Sequence, residues 1–349
     1  MIVRDKVPMK RKSSMNWNVL LGIAVSAAFM LVIFYQIDFA QLAAAFQSVA
    51  VLPLFLAAGL LVLTHLIRAW RWWYLLEPVK RIATPPLFSA IAIGFLANML
   101  LPAHAGEVVR AYVIAQKEQV STMTVLATIV IARVADFVSI LFILVILLVS
   151  LQFPADMASV AQQLRIGGYV SALVCVILIS GLWLVKAKTL QTIRLLRRCL
   201  GFLPALWLDR LVAALTSFAI GLQTLKKGQH LVVITALSLC LWVVVGLSNL
   251  CVLVAFNLQL PPYAAFLLLV VQTLGVVIPS APGFIGTYHA AVIAGLAIFG
   301  VTREFALSVA LVMHATFFFP FIAVGLVCLW KESLSLHDLW SIKTKGLRS

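Results

Sequence analysis

Residues 100–112 read LLPAHAGEVVRAY and residues 277–289 read VIPSAPGFIGTYH. In each stretch an apolar run ends at a proline (Pro102, Pro279), a glycine stands four residues on (Gly106, Gly283), and a tyrosine or histidine follows five or six beyond that. Proline removes a helix donor and glycine permits positive φ, so both stretches break a helix. Broken backbone at membrane depth is tolerated only where protein or a water-filled cavity surrounds it. The reading is that Pro102, Gly106, Pro279, Pro282 and Gly283 are hinges of two broken elements that face each other and form the working site.

The chain around these breaks is 64% hydrophobic and only 11% charged, far from soluble composition. It therefore reads as an all-α integral membrane protein. A formal charge of +15 suggests nucleic acid only if a folded polar domain offers a basic face, and none is visible, so no nucleic-acid partner is expected. Lys and Arg concentrated in loops on one side of the membrane explain the charge better. The five cysteines lie in or beside apolar runs without ligand-like spacing, which reads as inert thiols; no metal and no cofactor is expected.

Working outward, residues 1–16 are basic and an apolar run from Trp17 to Ile37 is long enough to cross a bilayer. It reads as an uncleaved first helix with a cytoplasmic N-terminus, the small residues at Ala43 to Ala45 keeping cleavage open as the alternative. A second span from Ala50 to Ile67 leads to RAWRWWYLLEPVKR, where Arg68 and Arg71 alternate with Trp72 and Trp73. Aromatic rings and cations in that mixture suit the headgroup level, so these four read as an interfacial lipid contact; a phosphate clamp at Arg68 or Arg71 is the sharper alternative. Spans at 123–151 and 166–185 lead to a basic cluster, Lys186 to Arg198. A full crossing at 86–101 would place that cluster outside, so the first break is read as a re-entrant hairpin.

Residues 205–225 carry apolar side chains at helical spacing and read as an interfacial cytoplasmic helix. A span from His230 to Phe256, the second break, as a hairpin or as two spans, and a last span from Phe305 to Trp330 complete a membrane domain over residues 17–331, followed by a basic cytoplasmic tail, 332–349. The total is about seven full spans plus two opposed broken segments in a candidate inverted repeat. On this topology Arg165 and Arg303 are the only clearly outside cations among 26 Lys and Arg.

The stretches NMLLPAHAGEVVRAY, IARVAD and PSAPGFIGTYHA, taken in order, resemble the lysylphosphatidylglycerol synthase membrane-region family over about residues 15–330. That family includes the flippase-like half of the multiple peptide resistance factor and stand-alone bacterial and archaeal proteins. The resemblance implies a bacterial inner-membrane protein with a lipid-translocation role, linked in stand-alone members to glycolipid, lipid-linked sugar or hopanoid metabolism. Three departures matter. His104 stands where the family commonly has a basic residue, Tyr288 and His289 stand near its frequent carboxylate, and the soluble aminoacyl-transferase domain is absent, so lysyl transfer is not implied.

Ionisable groups inside a bilayer are costly and therefore informative. Arg133 and Asp136 share a helix face, either as a structural ion pair or with Arg133 free to hold an anionic headgroup. Glu107 and Arg110 follow the first glycine; a new helix start there attracts phosphate and Arg110 adds a charge-assisted donor. Glu107 and Asp136 read as pairing groups or proton carriers. His104 and His289 complete the candidate headgroup contacts, a hydrogen-bonded structural role being the alternative for His289 and for His314. No nucleotide-binding loop or catalytic dyad is visible, so the chain reads as a flippase-like translocase of an anionic or sugar-bearing lipid, with downhill or ion-coupled movement. A membrane-embedded transferase acting on a lipid-linked sugar and a scaffold for lipid-synthesis enzymes are the alternatives.

Overall fold

The computed structural model describes residues 17–35, 37–47, 49–101, 105–150, 158–200, 204–222, 228–278, 280–336 and 338–339. The basic N-terminal stretch, most of the basic tail, Pro102, His104 and Pro279 lie outside the described residues. The described chain is helical throughout, without a strand. In order the helices are α1 (Trp17–Phe34), α2 (Phe39–Gln47), α3 (Val51–Leu76), α4 (Thr84–Leu100), α5 (Gly106–Glu118), α6 (Thr122–Ser150), α7 (Ala158–Ala187), α8 (Thr189–Cys199), α9 (Ala205–Leu222), α10 (Gly228–Ala255), α11 (Tyr263–Val277), α12 (Thr287–Ala297) and α13 (Arg303–Lys331).

Five of these, α3, α6, α7, α10 and α13, are long and apolar enough to cross a membrane, and α1 with α2 makes a sixth if their 88° bend is counted within one span. That count, taken over the described residues, is lower than the seven or so full spans expected. The short apolar helices α4 and α11, 17 and 15 residues, belong to the two broken elements.

Both breaks begin in the same way. Leu101 (φ −109, ψ 142) and Ile278 (φ −66, ψ 126) leave helical geometry, and each precedes a proline whose ring disfavours the α region for the residue before it. The chain then returns along itself. Helix α5 packs on α4, and α12 packs on α11. Gly106 makes the first return feasible: a Cβ there would lie 1.9 Å from the Gly94 carbonyl oxygen and 2.6 Å from Asn98 Oδ1. Gly275 plays the matching part in the second, its notional Cβ 2.7 Å from Ala291 and 3.0 Å from the Thr287 carbonyl. The first break is thus a hairpin, as expected, and of the two readings left open for the second the hairpin holds.

Helices α3 and α10 pair antiparallel along their lengths. Ala50 N–H donates to the Ala255 carbonyl at 2.8 Å, and Ser248 Oγ donates to the Ala57 carbonyl at 3.1 Å. Each begins a matching series of long helix, short helix, returning helix and long helix. Helices α6 and α13 are both 29 residues, and the starts of α5 and α12 (106 and 287) are as far apart in sequence as those of α6 and α13 (122 and 303). With α3 and α10 running in opposite directions, the halves form an inverted repeat and the hairpins enter from opposite ends.

Helix α4 is buried nearly all round, with Leu87, Ile91, Ile93 and Leu96 at 0% exposure against α3, α5 and α13. An all-round apolar helix too short to span is stable because its neighbours enclose it. Helix α7 is peripheral and shows its apolar side chains outward, whereas α9 lies along the start of α6, with Thr124 Oγ1 donating to the Ser217 carbonyl at 3.1 Å. Ion pairs from Lys80 to Glu118 (2.8 Å) and from Lys117 to Glu332 (2.7 Å) tie the ends of α3, α5 and α13 together at one end of the bundle.

The Gly106 contact gives a direct test. Gly106→Ala should cost about 1–3 kcal/mol by overpacking, and Gly59→Ala, where nothing lies within 4 Å, should be neutral or slightly stabilising. Thermal melting of the detergent-purified variants would measure both; an unchanged midpoint for Gly106→Ala would contradict the close hairpin.

Candidate functional site

The face of α3 that repeats Leu61, Thr64, Arg68 and Arg71 meets the face of α6 that carries Arg133, Asp136 and Ile140, and the first turn of α5 adds Glu107. Spacings of three and four residues bring each set onto one side of its helix. Between these faces and the second half lies a cleft of about 480 Å³. Arg68, Glu107, Arg133 and Asp136 line one part of it; Val252, Val276, Phe284, Tyr288 and Phe317 line another.

Asp136 is the centre of the charged part. It pairs with Arg71, whose second amino group lies 3.2 Å from Oδ2, and with Arg133 at 3.4 Å, while Trp242 Nε1 donates to Oδ1 at 3.1 Å. Arg71 also donates to Ser238 Oγ at 2.7 Å, so α10 contributes two partners. Glu107 pairs with both Arg110 and Arg133. Its place in the first turn of α5 is favourable for a carboxylate, and Asn98 Oδ1 accepts the Gly106 N–H at 2.8 Å at the same helix start.

Arg110 is buried behind this layer, its guanidinium 5.3 Å from the Trp72 ring, and does not line the cleft. Arg68 does. It donates to Thr64 Oγ1 and sits 4.8 Å from the Phe95 ring, and no carboxylate of the described residues lies within 4.0 Å of it. Arg133, with 38% of its side chain exposed, is the second cation facing the cleft.

The interfacial reading of the tryptophan-arginine segment is corrected for three of its four residues. Arg68, Arg71 and Trp72 are 8%, 3% and 3% exposed, and Trp72 Nε1 donates to Thr128 Oγ1 at 3.0 Å. Burial wins because α3 continues as one helix to Leu76, which carries this face inward rather than along the surface. Trp73 remains half-buried.

At the second break Gly283 (φ 75) and Gly286 (φ 91) adopt left-handed backbone, and the notional Cβ of Gly283 lies 3.8 Å from the Met99 carbonyl, so this break meets the end of α4. Pro282 opens a single 3-10 turn there. Ser26 Oγ from α1 accepts the Ala281 N–H at 2.7 Å and donates to the Ile285 carbonyl at 2.8 Å. His289 Nδ1 accepts the Gly286 N–H at 3.3 Å, and His314 Nε2 bonds the Gly283 carbonyl at 2.9 Å. Both histidines therefore hold the backbone of the break, and neither lines the cleft; neighbouring Tyr288 does.

The profile of the lysylphosphatidylglycerol synthase TM region family matches residues 19–325. The chain belongs to this family. Among curated proteins, it is similar to a protein named glycosyltransferase AglD from Haloferax volcanii, 26% identical over 252 residues that cover 66% of this chain. The chain spans only 40% of the length of that relative. No solved structure matches.

In this family member the sequence had pointed to Glu107, Arg133 and Asp136 at the cleft, and the structure brings them together. It had not singled out Trp242, Ser238, Asn98, Asn249 or Gln272. The amides carried a readable signal, since a polar group inside an apolar span seeks a partner: Asn249 Nδ2 donates to Gln272 Oε1 at 3.1 Å across the cleft wall. Trp242 and Ser238 look like ordinary members of a long apolar run.

Because Asp136 compensates Arg71 in a buried place, Asp136→Asn should destabilise the protein by about 3–5 kcal/mol, whereas Arg71→Met with Asp136→Leu should recover much of that loss. Denaturation of the two variants in detergent would show whether the pair behaves as one unit.

Proposed function

We propose that this protein is a flippase-like translocase that draws the headgroup of an anionic or sugar-bearing lipid into the cleft and moves it between leaflets. The observation that carries this reading is a single cleft, between two inverted halves, with cations at one part and apolar and aromatic walls at the other. An amphipathic lipid has the same division. Arg68 and Arg133 hold the headgroup, the part the sequence had assigned to Arg110 and Arg133; Arg110 supports them from behind through Glu107. The paired state of Glu107 and Asp136 favours their role as positioning groups over that of proton carriers. Relative movement of the two hairpins at Gly106 and Gly283 opens the cleft alternately to each side.

The ends of the bundle support an orientation in a bacterial inner membrane. Lys80, Arg81, Lys117, Arg194, Arg197, Arg198 and Lys331 lie at one end, and Arg165 and Arg303 at the other. The first end is cytoplasmic by the positive-inside bias, with both termini there and α9 as the interfacial helix within a membrane domain of about residues 17–331. A second reading, a membrane-embedded transferase on a lipid-linked sugar, is favoured by the name of the Haloferax relative; partnership with lipid-synthesis enzymes accommodates both.

Leaflet distribution of labelled lipids in proteoliposomes is the test. Arg68→Ala combined with Arg133→Ala should slow protein-dependent movement at least about tenfold, the loss of charge-assisted bonds being about 1.5–3 kcal/mol each. Undiminished movement would remove the clamp, and group transfer from an added sugar donor without lipid movement would put the transferase reading in its place.

A further inference from the structure

The charges of the cluster in and behind the cleft wall do not balance. Among the described residues, four guanidinium groups, Arg68, Arg71, Arg110 and Arg133, stand against two carboxylates, Glu107 and Asp136, which leaves two positive charges. Arg71 and Arg110 are each committed to one carboxylate, and Arg133 is shared between them. Arg68 bonds a hydroxyl and lies against an aromatic face, and Asp136 acts on it only from beyond ion-pair distance. Uncompensated charge inside a membrane domain is costly, and a cluster of this kind is stable when its ligand supplies the opposite charge.

Resting on the lipid-binding reading above, we infer that the cleft takes a lipid phosphate carrying two negative charges, a phosphomonoester or a diphosphate esterified at both ends on an apolar chain, in preference to the singly charged phosphodiester of ordinary phospholipids. A dianion neutralises the cluster, with Arg68 and Arg133 reaching it from α3 and α6. A monoanion leaves one charge bare. Beyond the cations the walls turn apolar at Leu61, Val245, Val252, Val276 and Phe317, which gives the first carbons of the chain a place and disfavours a free anion. Arginine suits the task because its planar fork binds phosphate oxygens in pairs.

Phosphatidic acid and phosphatidylglycerol with the same dihexanoyl tails differ in this charge, and inorganic phosphate lacks the tails. Their affinities for the purified full chain should be compared at about pH 8, where a phosphomonoester has lost its second proton. Phosphatidic acid should bind at least about tenfold tighter than phosphatidylglycerol, as expected for one more charge contact at an effective dielectric near that of a protein surface. Arg68→Gln should reduce that preference to less than about threefold, and Arg68→Lys, which keeps the charge, should retain most of it. Equal affinities for the two lipids, or an unchanged preference in Arg68→Gln, would overturn the inference. Inorganic phosphate binding as tightly as phosphatidic acid would overturn its lipid part. The two readings separate cleanly: phosphatidic acid bound with this preference but never moved between leaflets supports the charge inference and sinks translocation, and movement of phosphatidylglycerol without any preference does the reverse.

Discussion

One carboxylate, Asp136, joins three long helices. It lies on α6, pairs with Arg71 of α3, and accepts from Trp242 of α10, while Arg71 reaches Ser238 of α10 as well. Two of these helices belong to the first half of the chain and one to the second, so the contact between the halves passes through a charged group rather than through apolar packing alone. Burying an ion pair offers little net stability, because desolvation of both ions offsets their attraction. Its effect is on geometry. Each helix has one rotation that satisfies the carboxylate, and that rotation turns Arg68 and Arg133 toward the same cleft, where Glu107 of α5 pairs with Arg133.

The hairpins are set by a different constraint, the backbone. Leu101 and Ile278 turn extended before their prolines, and the returning helices start where Gly106 and Gly286 permit what a side chain would block. Where each returning helix begins, backbone groups lack a helical partner in a region where lipid offers none. Asn98, Ser26, His289 and His314 supply the bonds instead. Side chains that looked like headgroup contacts in sequence are in part the groups that make a broken helix tolerable.

What was legible follows from which rule applied. The breaks were legible because proline and glycine act locally, and the pairing of Arg133 with Asp136 because helical spacing places them on one face. The choice between Arg68 and Arg110 was not. Both are arginines in mostly apolar sequence, and only the packing of the helices decides that one faces the cleft and the other lies under Glu107. The span count was similarly out of reach at the N-terminal end, where the apolar stretch from Trp17 to Gln47 bends by 88° near Asp38. Asp38 caps α2 by accepting the Ala40 N–H at 2.8 Å, a local start signal that hydropathy alone does not weigh.

The repeat is symmetric in backbone and asymmetric in chemistry. In the register that aligns the starts of α5 with α12 and α6 with α13, Gly106 matches Thr287, Glu107 matches Tyr288, Arg133 matches His314 and Asp136 matches Phe317. The charged groups of one half thus face aromatic and neutral groups in the other, and Glu107, Arg133, Asp136, Tyr288 and Phe317 all line the same cleft. An inverted scaffold by itself would make its two open states equivalent, since exchanging the halves turns one state into the other. Side chains remove that equivalence. For the translocase proposed above, cations on one half only give a bound amphipathic molecule one preferred direction along the cleft, and its two open states would differ in energy by however much the headgroup gains at Arg68 and Arg133. Direction in such a protein is therefore a property of the few residues at which the halves differ, carried on a backbone that is indifferent to it.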